Sequence, residues 1–259
     1  MNQLDENGYI RNNTSQEKIG EVFRPLLEAV VDDVRDALGD NVHSIYAYGS
    51  IPEGRAVPGV SDADFIVILH RSDSDAKEKL ENIAANLKER FGDIVLKVDL
   101  PDTTLAEVMD PKRLQEWGAY LKILALPLYG ENVLLHFPSF QPNLQMAREF
   151  DGSLGRKIQE SMELLRSDAT ESAKQLQIRA IAGKILRAFF MILAPRIAFW
   201  STVLREQTEK VVEHFPEHRE AFLYVAEARK EGKNSQEFAE FLEKFTVDLL
   251  PLFERALEE

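Results

Sequence analysis

Apolar positions recur at helical spacing through Ile19, Val22, Phe23, Leu26, Val30, Val34 and Leu38, with Gly39 directly behind them. Such spacing marks one buried face of a helix, and a glycine after the last periodic position suits its end. Ahead of the run, Thr14 and Glu17 have the form of a capping box, and Pro25 inside it predicts a kink. The pattern then shortens. HSIYAYGS and ADFIVILH are brief aromatic and β-branched runs, which predict two strands. Residues 75–91 return to helical spacing, and DIVLKVDLP predicts a third strand. Helix, strand, strand, helix, strand makes a compact α+β unit.

Beyond about residue 103 the character changes. Leu105 to Met109 and Leu114 to Leu124 look helical, and LPLYGENVL reads as a turn. From about Asn143 to the end the pattern predicts four or five long helical segments and no strand. The last, from Ser235, carries Phe238, Phe241, Leu242, Phe245, Leu249, Leu252 and Phe253 on one stripe. PSFQPN, with its two prolines, is the expected boundary. The expected organisation is a flexible leader at 1–13, an α+β domain at 14–137 with a small mixed sheet, and an all-α helical domain at 143–259.

Charge narrows the partners. The 259 residues carry 31 Lys and Arg against 44 Asp and Glu, a formal charge of −13. A surface that acidic repels a phosphate backbone, so a long nucleic-acid footprint is not expected. A metal–nucleotide complex or a cationic small molecule remains compatible. The chain has no cysteine, which excludes disulfides and thiolate zinc sites, and its five histidines show no metal-ligand spacing. The polar N-terminus lacks the apolar core of a signal peptide, and AFFMILAPRIAFW is interrupted by Pro195 and Arg196. No membrane span is expected, and the expected setting is the cytoplasm.

The chemistry concentrates between the first two strands, in AYGSIPEGRAVPGVSDADFIVIL. Asp62 and Asp64 lie two residues apart at the mouth of a strand, where alternation aims both side chains the same way. Two adjacent carboxylates repel unless a cation sits with them. Asp99 ends the third strand; Asp93 and Asp102 flank that strand as alternatives. If the strands are neighbours, three hard oxygen donors converge, a set suited to Mg²⁺ or Mn²⁺ bound with a substrate's phosphates. Gly49 permits close backbone approach, and Ser50 offers a hydroxyl and an N–H to phosphate oxygens.

YGS, eleven residues, DAD, an apolar strand and a later Asp together resemble the DNA polymerase beta-type nucleotidyltransferase superfamily. Within it the layout is most similar to antibiotic (aminoglycoside) nucleotidyltransferases with a C-terminal helical domain, and LYGENVL resembles a segment that follows their catalytic sheet. The resemblance implies an adenylyltransferase-like enzyme, which moves a nucleoside monophosphate from an NTP, ATP foremost, to a hydroxyl of a small-molecule acceptor and releases pyrophosphate. It implies two Mg²⁺ ions, with Mn²⁺ as substitute, held by Asp62 and Asp64. Asp99 would be a third metal ligand or the base that takes the acceptor's proton. Gly49, Ser50, Arg55 and Ser61 become nucleotide-binding candidates, with Lys184 and Arg187 on a basic face of the helix in QLQIRAIAGKILRAFFMIL. Glu53, Glu107, Asp110 and Glu116 are candidates for the charge that would attract a polycationic acceptor. Two alternatives accompany this reading: a non-catalytic nucleotide-binding or interaction module, and a toxin–antitoxin-type nucleotidyltransferase acting on RNA or protein. The oligomeric state is left open.

Overall fold

The computed structural model describes residues 2–259. They divide into two compact units: Arg11–Phe140, and Gln141–Glu259 together with residues 2–10. Among the described residues no helix is long and apolar enough to cross a membrane.

The first unit is built on a five-stranded mixed sheet. Its elements are α1 (Arg24–Leu38), β1 (Val42–Tyr48), β2 (Ala63–Leu69), α2 (Ser74–Arg90), β3 (Val98–Asp99), β4 (Asp102–Thr104), α3 (Leu105–Val108), α4 (Ala119–Leu124) and β5 (Leu126–Gly130). β1 runs antiparallel to β2 and to β5, while β3 and β4 both lie parallel to β2. Ala63, Phe65, Val67 and Leu69 of β2 pack against Leu26, Val30 and Val34 of α1 and Leu80 and Leu87 of α2. Ile66 and Ile68, which point the other way, are buried as well. Burial on both faces is why β2 reads as a nearly continuous apolar run. The exception on the second face is Asp64.

Several local expectations change. Pro25 lies in the first turn of α1, where its missing N–H is harmless, so no kink forms. The capping residue is Ser15, whose hydroxyl accepts from Glu17 N in a single turn of 3₁₀ helix, Gln16–Lys18. The third strand is two short pieces separated by Leu100 and Pro101, because proline cannot donate to a ladder. LPLYG, expected in a turn, is strand β5. Its backbone pairs with β1 up to Ser44–Gly130, and the buried Tyr46 hydroxyl donates to Glu131 O and accepts from Val133 N, both at 2.9 Å.

The second unit comprises α5 (Leu144–Asp151), α6 (Leu154–Arg166), α7 (Glu171–Ile197), α8 (Leu204–His214), α9 (Arg219–Glu231), α10 (Ser235–Asp248) and α11 (Leu250–Glu258). α7 is its axis, 27 residues long and buried at almost every position from Ile181 to Ala194. Phe189 on α7 meets Phe215, Phe222, Phe245 and Phe253 with ring centroids 4.9–5.8 Å apart. The last stripe is two helices, not one: Leu249 separates them and Pro251 occupies the first turn of α11.

The segment expected as a flexible leader is tied down. Met1 lies outside the described residues. Gln3 N donates to Trp200 O, Gln3 Oε1 accepts from Thr202 N, and Asn2 Oδ1 accepts from Trp200 N. Asn12 belongs to the other unit, donating to Lys122 O and Ala125 O. Polar side chains of this segment serve as partners for loop backbone.

Candidate active site

Strand register assembles the centre. Asp64 lies directly opposite Tyr48 on β1 and directly opposite Asp99 on β3. Residues paired across strands share a face, so the Tyr48, Asp64 and Asp99 side chains stand on one side of the sheet. Asp62 is exposed just ahead of β2. Asp102 is paired instead with Val67, three residues further along β2, and Asp93 lies in a turn. The register therefore selects Asp99 as the third carboxylate.

Gly49 follows Tyr48 with φ +79°, a left-handed conformation, and a Cβ placed there would lie 2.6 Å from Asp64 Oδ2. Only glycine allows both that backbone and so close an approach. Ser50 continues the turn, and its carbonyl accepts from Arg55 N at 2.9 Å and Ala56 N at 3.1 Å. Ser61 Oγ accepts from Val57 N at 2.9 Å, closing the far end of the same connection.

Electrostatics at the centre are unfavourable without added positive charge. Burial pushes the Asp64 carboxyl up to about 6, and the negative charges of Asp62 and Asp99 push in the same direction, only partly opposed by Lys97. Lys97 Nζ binds Asp99 Oδ1 at 2.6 Å. Burial also raises the Tyr48 phenol to about 12, with Asp64 contributing, so it stays neutral and can only exchange hydrogen bonds. Its ring packs edge-on against Tyr120 at 5.5 Å. Tyr48 and Lys97 were not among the candidates from sequence. The available signals were position: Tyr48 immediately precedes Gly49, and Lys97 shares a face with Asp99 two residues on.

A raised carboxyl gives a stability test. Between its ordinary value, near pH 4, and about pH 6 the folded protein keeps a proton that the unfolded chain has released. Stability therefore falls as pH rises through that window, and the penalty is fully present above it. Asp64→Asn removes the penalty. In chelator, thermal unfolding should show the variant more stable than wild type at pH 8 by about 1–2 kcal/mol, discounted for partial exposure, with no gain at pH 3.5.

The other candidates are engaged differently. Arg55 donates from Nε to Glu53 Oε2 at 2.7 Å and from Nη2 to the same oxygen. In the helical unit, Lys184 Nζ binds Asp151 Oδ1 at 2.9 Å and Phe150 O at 3.2 Å, and Asp151 is buried. Arg187 is exposed on α7. Lys184→Met would strand a buried carboxylate, so unfolding should reveal a loss of about 3 kcal/mol, largely restored by adding Asp151→Asn. A variant as stable as wild type would show that the pair contributes nothing. The acidic residues expected to attract a cationic acceptor are mostly satisfied locally. Glu53 is tied to Arg55; Glu107 and Glu116 are both bound by Arg113, and Asp110 caps Lys112 N.

The donor set suits a hard divalent cation: Asp64 and Asp99 on paired strands and Asp62 just ahead of β2, with the Asp64 carboxyl raised by burial and by the charges of the other two. Among the described residues no three such side chains already converge on one ion position. The fit is thus one of chemistry and placement.

Comparison with known proteins gives the same class of domain. Residues 27–114 match the family model described as Nucleotidyltransferase domain. That span runs from within α1 to beyond α3 and includes Gly49, Ser50, Asp62, Asp64 and Asp99. Over nearly the whole chain, the fold is similar to that of the spectinomycin adenyltransferase AAD(9) from Enterococcus faecialis, solved with ATP and spectinomycin. The TM-score is 0.57 at 16% identity, covering 91% of this chain and 99% of that one. At that identity the similarity is one of fold. No curated protein matches the chain.

Proposed function

We propose that this protein is a metal-dependent nucleotidyltransferase that transfers AMP from ATP to a hydroxyl of a small-molecule acceptor, releasing pyrophosphate. The observation that carries the proposal is the register that sets Asp64 opposite Asp99, with Gly49 in left-handed backbone against the Asp64 carboxylate. The matched nucleotidyltransferase domain over residues 27–114 supports the reaction class. ATP as donor and an aminoglycoside or aminocyclitol antibiotic as acceptor are supported by the structure of similar fold, which was solved with ATP and spectinomycin.

In this reading Asp62 and Asp64 hold Mg²⁺, or Mn²⁺, which when bound supplies positive charge to the triphosphate. The turn at Gly49 and Ser50 brings backbone and hydroxyl donors to phosphate oxygens, with Ser61 and Arg55 in the same connection. Asp99 accepts the proton of the acceptor hydroxyl as that oxygen attacks the α-phosphorus, and Lys97 holds the Asp99 carboxylate in place. Lys184 and Arg187, both on α7, remain nucleotide-binding candidates of the helical unit.

Calorimetric titration of each NTP with Mg²⁺ tests the reading. ATP should bind only with the metal, and Asp64→Asn should lose that binding. Failure of wild type to bind any NTP would overturn the proposal in favour of a non-catalytic module.

A further inference from the structure

The connection between β1 and β2 contains a buried charge that its backbone does not need. Its turns are already closed by Arg55 N and Ala56 N on Ser50 O, and by Gly54 N on Ile51 O at 3.1 Å. Ser15 N on Pro52 O, at 3.0 Å, anchors it from outside. Yet the Glu53 side chain is only 2% exposed, against 39% for its partner Arg55. A carboxylate buried in a loop is costly unless its partner is well placed, and an apolar residue would fill the space more cheaply.

Arg55 meets Glu53 in one particular way. Nε and Nη2 both donate to Oε2, which consumes one edge of the guanidinium. Of its five N–H donors, three are left. The Arg55 backbone N donates to Ser50 O at 2.9 Å, so the residue that carries this half-exposed guanidinium is anchored at the Gly49–Ser50 turn. Arginine otherwise carries about 2 kcal/mol of rotamer entropy, much of which the bond to Glu53 has already removed.

We infer that Glu53 is a positioning residue: it presets the Arg55 guanidinium so that its free edge receives a phosphate group of the nucleotide. The inference rests on the nucleotidyltransferase reading of the same site. Glu53 touches no substrate and acts only through Arg55.

The test is a double-mutant cycle on Mg·ATP affinity, measured by calorimetry with thermal unfolding in parallel. Arg55→Met should weaken binding about tenfold and Glu53→Gln about three- to tenfold, while the double variant should be no weaker than Arg55→Met alone. Arg55→Lys keeps the charge pair, and so the fold, but lacks the fixed fork; it should weaken ATP binding about as much as Arg55→Met. Glu53→Gln or Arg55→Lys with wild-type affinity, or additive losses in the double variant, would overturn the inference. Lower melting temperatures with unchanged affinity would do the same, showing a purely structural pair. If wild type binds no Mg·NTP, both this inference and the proposed function fall. If wild type binds and Asp64→Asn does not, the proposed function stands and the Glu53 and Arg55 variants alone decide the inference.

Discussion

Asp64→Asn should abolish nucleotidyl transfer, by on the order of a thousandfold or more, while leaving the chain folded. Asparagine is nearly isosteric, so packing at the mouth of β2 survives. What disappears is the anionic donor that stands opposite Asp99 and against Gly49. Asp62→Asn should behave in the same way from the other side of Ala63, although its exposure predicts little change in stability. The measurement is pyrophosphate release from Mg·ATP with an aminoglycoside or aminocyclitol acceptor, accompanied by circular dichroism. Turnover within threefold of wild type in either variant would show that the aspartates are not the catalytic donors. The same Asp64→Asn protein is the one expected to gain stability at pH 8. A residue whose removal stabilises the fold and stops the reaction is held in place against its own electrostatics for function.

Gly49→Ala has the second largest expected effect. Two penalties coincide there: alanine disfavours φ +79°, and its Cβ would lie 2.6 Å from Asp64 Oδ2. Backbone strain of this kind costs about 1–2 kcal/mol. The collision is relieved only by turning the carboxylate away, which should lower transfer about a hundredfold. Gly39→Ala provides the control. Gly39 also has positive φ, at +51°, but nothing lies within 4 Å of where its Cβ would be. It should lose stability and keep activity. If Gly49→Ala matched that control in both respects, the close approach of the turn to Asp64 would have no catalytic meaning.

Legibility in sequence followed how local each feature is. β1 and β2 were visible because their own residues are apolar, and β2 is buried on both faces. β5 was not visible. LPLYG carries Pro127 and Gly130 and becomes a strand only because β1 offers it an edge. Gly130 in fact marks that pairing, since a Cβ there would come within 2.0 Å of His43 O. Asp62 and Asp64 stood out through their spacing, whereas the choice of Asp99 over Asp93 and Asp102 needed the register. Basic side chains were the least legible. Arg55 and Lys184 read alike as nucleotide-binding candidates along the chain, but each is bound to a buried carboxylate, Glu53 and Asp151. Charge count cannot show pairing.

The sequence by itself determined the two-part character of the chain, an α+β segment followed by helices, because periods of two and 3.6 residues are written into apolar spacing. It also determined the paired aspartates and the glycine-serine turn, whose chemistry depends on residue type and short spacing. Tertiary structure alone decided which third aspartate faces them, that Tyr48 and Lys97 belong to the same centre, and that the N-terminal residues are docked. These outcomes depend on which strands become neighbours and in what register, and a one-residue slip would turn Asp99 to the opposite face.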